Sequence, residues 1–298
     1  MSVSSYQFID PKTLAAIRDL QLIAKRVAEG VMLGMHHSPK PGAGLEFSQY
    51  RSYQPGDDPQ HIDWKMFARS DRYYVRESEI ESSIGVHFIL DASASMLHQD
   101  DGLSKFDYAR FLLASLGYLA FNQGDAIGLT AIDGTESHNL PLRHTTQHLH
   151  RFLHHLEKIR PSGKWPEWRS LEPRLGLNGR NRSMIIFVSD MHEVDGEIRE
   201  SLAKLAAMRN EVMLFQIIAQ NELEFSWRGV VDFEDLETGQ AMQVNADEMR
   251  TSYKKNLTAH LQTLRKELHD LHIFYEALST AKPLDGALRE FLKRRSQL

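Results

Sequence analysis

Gly85-Val86-His87-Phe88-Ile89-Leu90-Asp91-Ala92-Ser93-Ala94-Ser95-Met96 is the stretch on which the fold of this chain turns. Val86 to Leu90 is a short, β-rich apolar run, the pattern of a strand covered on both faces of a parallel sheet. It closes on a carboxylate followed by two alternating hydroxyls, Asp91, Ser93 and Ser95. In open α/β sheets ligands gather outside the carboxyl ends of strands, so this triplet stands where a site is expected. One carboxylate and two hydroxyls are poor zinc ligands, but they suit Mg2+, which favours hard oxygens and keeps several waters. The plainer use of the same residues is capping, since Asp and Ser are good helix N-caps.

Working outward, Phe106 to Asn122 reads as a helix that is apolar almost all round and therefore buried against a sheet. Gly124 stands at its C-terminal cap, and Ala126 to Ile132 is a second apolar strand. Strand, helix, strand in that order predicts a right-handed crossover and a parallel sheet. Leu140-Pro141-Leu142 suits an edge strand, where proline is tolerated. Met184 to Ser189 is a third buried strand, and it too ends in a carboxylate, Asp190. Asp190 is thus expected at the same sheet edge as Asp91, or else as a cap for a helix starting near Gly196. Val212 to Ile218 and His272 to Ala277 are further strands, Val230 to Val244 a hairpin, and Asp247 to Leu271 and Leu284 to Arg295 helices. Lys293, Arg294 and Arg295 suit a helix C-terminus and are expected in solvent.

Before the sheet, Pro11 to Met35 reads as one helix capped by Asp10, with proline in its first turn. The segment from Gly42 to Arg69 is unusual for a loop. Its Pro55-Gly56-Asp57-Asp58-Pro59 is a strong turn, flanked by aromatics and by Arg51, Asp63, Trp64, Lys65 and Arg69. Tyr73 to Glu79 then reads as a strand. The expected organisation is an N-terminal helix over 1–40, a small β-rich subdomain over 41–84, and a main α/β domain over 85–298 with a hairpin insertion near 229–245.

Composition narrows the function. A net charge of −5 over 298 residues leaves no basic footprint for nucleic acid. With no cysteine, disulfides and thiolate metal sites are excluded. No apolar run approaches the ~20 residues that span a bilayer, and the N-terminus lacks a signal-peptide core, so a cytoplasmic protein without membrane insertion is expected. His150 and His154 lie one helical turn apart within Thr146 to Ile159, but Arg151 replaces the Glu of a His-Glu-x-x-His site. That face is read as solvated.

The order Gly-x-Glu-Phe (Gly44 to Phe47), Arg-x-Tyr-x-Pro-Gly-Asp-Asp (Arg51 to Asp58), Ile-Asp-Trp (Ile62 to Trp64) and Ala-Arg (Ala68-Arg69), followed by Asp-x-Ser-x-Ser-Met, resembles one bacterial family. This is the von Willebrand factor A-like family of unknown function, the fifty-eighth of its series, whose members accompany MoxR-type AAA+ ATPases. The resemblance implies a Rossmann-like, mostly parallel sheet flanked by helices and carrying a metal-ion-dependent adhesion site. Asp91, Ser93, Ser95 and Asp190 would then hold Mg2+, with Mn2+ or Ca2+ as alternatives. A partner surface is expected around Arg51, Asp57, Asp58, Asp63, Trp64 and Arg69. In one respect the chain departs from the pattern: the loop Pro161 to Leu171 contains no threonine, leaving Ser162 or Ser170 as substitutes.

The leading functional reading is a non-enzymatic, chaperone-like adaptor that works with a MoxR-type ATPase and a client protein in assembly or activation. No Gly-x-x-x-x-Gly-Lys-[Ser/Thr] loop occurs, so the chain is not itself expected to be the ATPase. The alternative is a Mg2+-dependent hydrolase or phosphatase using Asp91. The residue two positions on, which would be the acid/base in dehalogenase-type phosphatases, is Ser93 rather than aspartate. A third reading is a scaffold whose ion site is vestigial.

Overall fold

The structure is a computed structural model, and it describes residues 10–17, 19–36, 49–52, 67, 69, 72–77, 84–134, 137–175, 183–193 and 195–297. The chain forms two compact units, Met1–Met32 with Ser83–Leu298, and Leu33–Ser82.

In the second unit, β1 (Gln49–Ser52) pairs antiparallel with β2 (Tyr74–Glu77), Arg51 opposite Val75. Phe67 stacks on Tyr73 with ring centroids 4.5 Å apart. Arg69 is exposed, and for Arg51 the backbone alone is described. Asp57, Asp58, Asp63 and Trp64, the other members of the expected partner surface, lie outside the described residues.

The first unit is built on a six-stranded sheet. Its strands are β3 (Gly85–Asp91), β6 (Ala126–Ile132), β7 (Ser137–Arg143), β8 (Ser183–Ser189), β9 (Glu211–Ile218) and β12 (Phe274–Ser279). The spatial order is β12-β9-β8-β3-β6-β7, all neighbours parallel except the β6–β7 pair at the edge. This is the mostly parallel, von Willebrand A-like, Rossmann-like α/β class expected from the sequence. Successive residues of β3 point to opposite faces. Val86, Phe88 and Leu90 enter one core with α1 (Pro11–Ala15), α2 (Leu20–His36), α3 (Lys105–Asn122), α4 (Thr146–Lys158) and α9 (Asp285–Arg295). Ile89 enters the other, with α5 (Trp168–Leu175), α6 (Glu197–Ala207) and α8 (Ala246–Asp270). Trp165 and Trp168 belong to that second core; Trp165 packs on Phe187, and its indole N–H donates to Ser201 Oγ at 3.2 Å.

Three smaller elements sit on this frame. β4 (Gln99–Asp100) and β5 (Leu103–Ser104) form a tight hairpin, with Asp101 and Gly102 both at positive φ. The second element is α7 (Gln220–Glu224). The third is the antiparallel hairpin of β10 (Val230–Glu234) and β11 (Ala241–Asn245).

Two expectations are corrected. The N-terminal helix breaks in two, because Asp19 starts a new one: its carboxylate accepts from the Leu22 N–H at 3.0 Å. Asp10 caps only the first piece, accepting from the Thr13 N–H at 3.1 Å. The C-terminal cations are also not all in solvent. Arg295 makes a two-pronged pair with the fully buried Asp125, at 2.7 and 2.9 Å, and Arg294 lies 4.2 Å over the Phe274 ring. Asp125 lies just beyond Gly124, which follows the Gln123 cap of α3, and it also accepts from the Ile84 N–H at 3.2 Å, so this pair ties the last helix to the start of β3. Because removal of Arg295 strands a buried carboxylate, Arg295→Ala is expected to cost about 3–5 kcal/mol. Urea denaturation measures it, and a loss below about 1 kcal/mol would place the pair among weak surface bridges.

Candidate functional site

The chain passes from β3 to β6 and β7 on one side, then returns to β8 on the other. The strand order therefore reverses at β3, the switch point at which open α/β sheets place their sites. Asp91 is the last residue of β3, and Asp190 follows the last residue of the adjacent β8. Asp91, Ser93, Ser95 and Asp190 are all buried, and the fold brings the four together.

Their contacts form a continuous chain. Asp91 Oδ1 accepts from the Ser93 N–H at 2.9 Å, and Asp91 Oδ2 accepts from Ser189 Oγ at 2.6 Å. The Ser93 and Ser95 hydroxyls are 3.0 Å apart, and Ser95 Oγ donates to Asp190 Oδ1 at 3.2 Å. Asp190 Oδ1 also accepts from the His192 N–H at 3.1 Å. The other oxygen, Oδ2, receives the Lys105 ammonium at 2.6 Å, and the same ammonium reaches Glu222 Oε1 at 3.1 Å.

Neither aspartate acts as a helix cap. Ser104 caps α3 by accepting from the Asp107 N–H at 2.9 Å. At the start of α6, Glu193 Oε2 accepts from the Ile198 and Arg199 N–H groups at 2.7 and 3.1 Å. Both carboxylates are thus left to the site.

Several of these residues were not singled out from sequence. Lys105 opens α3, where a cation opposes the helix dipole; that misplaced charge is the one signal it carried. Ser189 links the two strand ends, since its hydroxyl oxygen also accepts from the Met191 N–H at 2.8 Å. Met191 is held at φ +60°, a left-handed conformation that turns the chain sharply after Asp190. Gln216 from β9 donates to the Asp190 carbonyl at 3.0 Å and is itself fixed by the Tyr275 hydroxyl at 2.6 Å.

The substitute hydroxyls for the threonine are not delivered. Ser162 Oγ donates to the Asp133 carbonyl at 3.1 Å, and Ser170 is exposed on α5. The loop meets the site through its backbone instead: Ser162 N–H to the Ala92 carbonyl, and Ala94 N–H to the Gly163 carbonyl, both at 2.9 Å. Gly163 and Gly134 approach so closely that a Cβ on Gly134 would stand 3.1 Å from Gly163 Cα, and both have positive φ. His150 and His154 are exposed, while the buried His148 ring bonds the Ile127 carbonyl at 2.9 Å. Among the described residues, no three His, Cys, Asp or Glu side chains group closely enough to hold a metal ion.

The donor set, two carboxylates and two hydroxyls, is all hard oxygen. By chemistry such donors suit Mg2+, which takes hard oxygens and keeps several waters; the 3.0 and 3.2 Å spacings of Ser93, Ser95 and Asp190 are those of the hydrogen bonds that now join them. Lys105 holds the far oxygen of Asp190 and leaves Oδ1 facing the serines.

Electrostatics split the two carboxyl groups. Burial, reinforced by the neighbouring Asp190, pushes Asp91 up to about 7. Asp190 is equally buried, but the Lys105 ammonium outweighs that cost and holds it below the usual carboxylate range.

Fold and site together define a von Willebrand A-like α/β fold with an Asp-x-Ser-x-Ser cluster at its switch point. The chain belongs to the DUF58 family: the family described as "Protein of unknown function DUF58" matches residues 49–263. It is similar to the uncharacterized protein Rv1480 of Mycobacterium tuberculosis, with 28% identity over 254 residues, covering 84% of this chain and 80% of that protein. The uncharacterized protein YeaD of Bacillus subtilis is 24% identical over 176 residues, covering 59% of this chain and 40% of its own length. Among solved structures, the conserved hypothetical protein BatB from Bacteroides thetaiotaomicron aligns with a TM-score of 0.46 and 18% identity, covering 72% of this chain and all of that one. The SpRpn10 VWA domain aligns with a TM-score of 0.40 and 12% identity, covering 70% and 95% of the two chains. No helix among the described residues is long and apolar enough to cross a membrane.

Two predictions follow from the charges. Asp91 binds its proton more tightly in the folded than in the unfolded chain. Its contribution to stability is complete below the ordinary value of 3.8 and is lost as pH rises toward about 7. His87, buried in β3 with Nε2 2.9 Å from Thr130 Oγ1, is pushed down to about 4 by burial. Its contribution is complete above 6.5 and is lost as pH falls toward about 4, so the two slopes oppose each other. Asp91→Asn removes the first slope. On acidification from pH 6.5 to 4 the variant is expected to lose about 3 kcal/mol more stability than the parent chain; parallel urea-denaturation profiles would contradict this. Separately, Lys105→Met leaves Asp190 buried beside Asp91 and is expected to cost about 3–5 kcal/mol. The double change with Asp190→Asn should recover most of that loss in the same measurement.

Proposed function

We propose that this protein is a non-enzymatic interaction module whose Asp91, Ser93, Ser95 and Asp190 hold a divalent cation, Mg2+ by ligand chemistry, that bridges to an acidic side chain of a partner. The observation that carries this reading is the convergence of four buried hard-oxygen side chains at the switch point, joined through the Ser93, Ser95 and Asp190 oxygens. An ion in this site supplies positive charge in a buried setting, which is what would attract a partner's carboxylate. Residues of this chain do the rest. Asp91 and the serines would hold the ion, Ser189 and the Ser93 N–H fix Asp91, and Lys105 positions Asp190.

The partner we infer is a MoxR-type AAA+ ATPase on the cytoplasmic side, with ATP hydrolysed by that partner and a client protein as the object. Support comes from the Gly44-to-Met96 sequence pattern. Catalysis through Asp91 is disfavoured by its setting, since the carboxyl is wholly buried and both oxygens already accept hydrogen bonds.

The test is co-purification of the full chain with the MoxR-type ATPase of its own cell. Association is expected to require Mg2+ and to be lost in Asp91→Asn that remains folded by near-ultraviolet circular dichroism. Association that persists in EDTA would remove the ion bridge. Phosphatase or esterase turnover abolished by the same substitution would replace this reading with the hydrolase.

A further inference from the structure

Lys105 is an unexpected residue in this core. It is the first residue of α3, directly after the Ser104 cap, and it is only 4% exposed. Both circumstances work against a cation. Burial strips the ammonium of water, and the N-terminal end of a helix already carries partial positive charge. Well-packed apolar side chains can replace a buried ion pair without loss of stability, so packing alone gives α3 no reason to begin with a lysine.

The cluster it serves is closed from within the chain. Asp190 Oδ1 accepts from the Ser95 hydroxyl and the His192 N–H, and Oδ2 accepts from the Lys105 ammonium. The two Asp91 oxygens accept from the Ser93 N–H and the Ser189 hydroxyl, and the Ser93 and Ser95 hydroxyls bond each other. Every side-chain oxygen of the four residues thus has a partner, and the positive charge among them is the lysine's own. A divalent ion on these oxygens has to share Asp190 with that charge, and like charges close together in a buried setting repel strongly.

The ammonium has a second acceptor at hand. Glu222 Oε1 lies 3.1 Å from it, against 2.6 Å for Asp190 Oδ2, and the Glu222 side chain is 26% exposed where that of Asp190 is 2% exposed. Glu222 is itself held in place. Its other oxygen accepts from the Ala219 N–H at 2.8 Å, and α7 is pinned at its start by the Asn221 N–H, which donates to Asp100 Oδ2 at 3.1 Å. The flexible stem and rotatable ammonium of a lysine allow it to lean from one carboxylate to the other while α3 stays where it is.

We propose that Lys105 is the resident cation of this site and that a divalent ion enters by exchange against it: the ammonium gives up Asp190 and stays with Glu222. Lys105 then sets how tightly the site holds an ion. This rests on the cation reading above. It differs from a purely positioning role in the sign of one effect, since loss of a positioning lysine weakens ion binding and loss of a competing one strengthens it.

The experiment uses the full chain stripped of metal with EDTA, and calorimetry with Mn2+ as the probe. Lys105→Met is expected to bind Mn2+ about tenfold more tightly than the parent chain. Glu222→Gln keeps an uncharged acceptor for the Ala219 N–H but commits the ammonium to Asp190, and is expected to weaken Mn2+ binding several-fold. In the Lys105→Met background the same Glu222→Gln change is expected to have little effect, because the double-mutant cycle isolates the part that runs through the lysine. Mn2+ binding to the parent chain with equal or weaker binding to folded Lys105→Met would overturn the exchange while leaving the ion site standing. Unweakened binding in Glu222→Gln would do the same, and that comparison decides alone if Lys105→Met does not fold. Mn2+ binding to Lys105→Met with none to the parent chain supports the exchange. No Mn2+ binding to any of these chains would overturn the exchange and the cation reading together.

Discussion

Two carboxylates buried side by side repel, and in a low-dielectric setting that repulsion prevents both from carrying charge unless something offsets it. The parallel pairing of β3 and β8 forces this juxtaposition on Asp91 and Asp190, because their strands end at the same level of one sheet. The Lys105 ammonium, 2.6 Å from Asp190, is what makes the arrangement tolerable. It keeps Asp190 ionised, and the unrelieved part of the cost falls on Asp91. Glu222, which binds the same ammonium, also accepts from the Ala219 N–H at 2.8 Å and so fixes the path of the chain leaving β9. Three strand ends and the first turn of α3 are thereby tied to one buried cation.

The sheet was legible because its strands are short, apolar and separated by helices of helical period. Ala126–Ile132 matches the expected strand residue for residue, and Lys105–Asn122 differs from its expected helix by one. Asp190 could be matched with Asp91 because each follows such a strand. The partners that complete the cluster were harder to see. Lys105, Gln216 and Glu222 are ordinary surface-type residues in a sequence, and only the strand order places them around Asp190. Arg295 was read as solvated because nothing local links it to Asp125, 170 positions earlier. The break after Ala15 was missed because apolar spacing continues through it, while the cap at Asp19 is a local competitor that periodicity does not register.

The loop without a threonine illustrates a different limit. A missing side chain invites a search for another hydroxyl, but this loop has taken on a backbone role. Ser162 and Gly163 clamp Ala92 and Ala94 through two main-chain hydrogen bonds, and the close glycine contact with Gly134 leaves no room for a larger residue there. The loop therefore holds the Asp-x-Ser-x-Ser segment in shape rather than supplying a ligand to it.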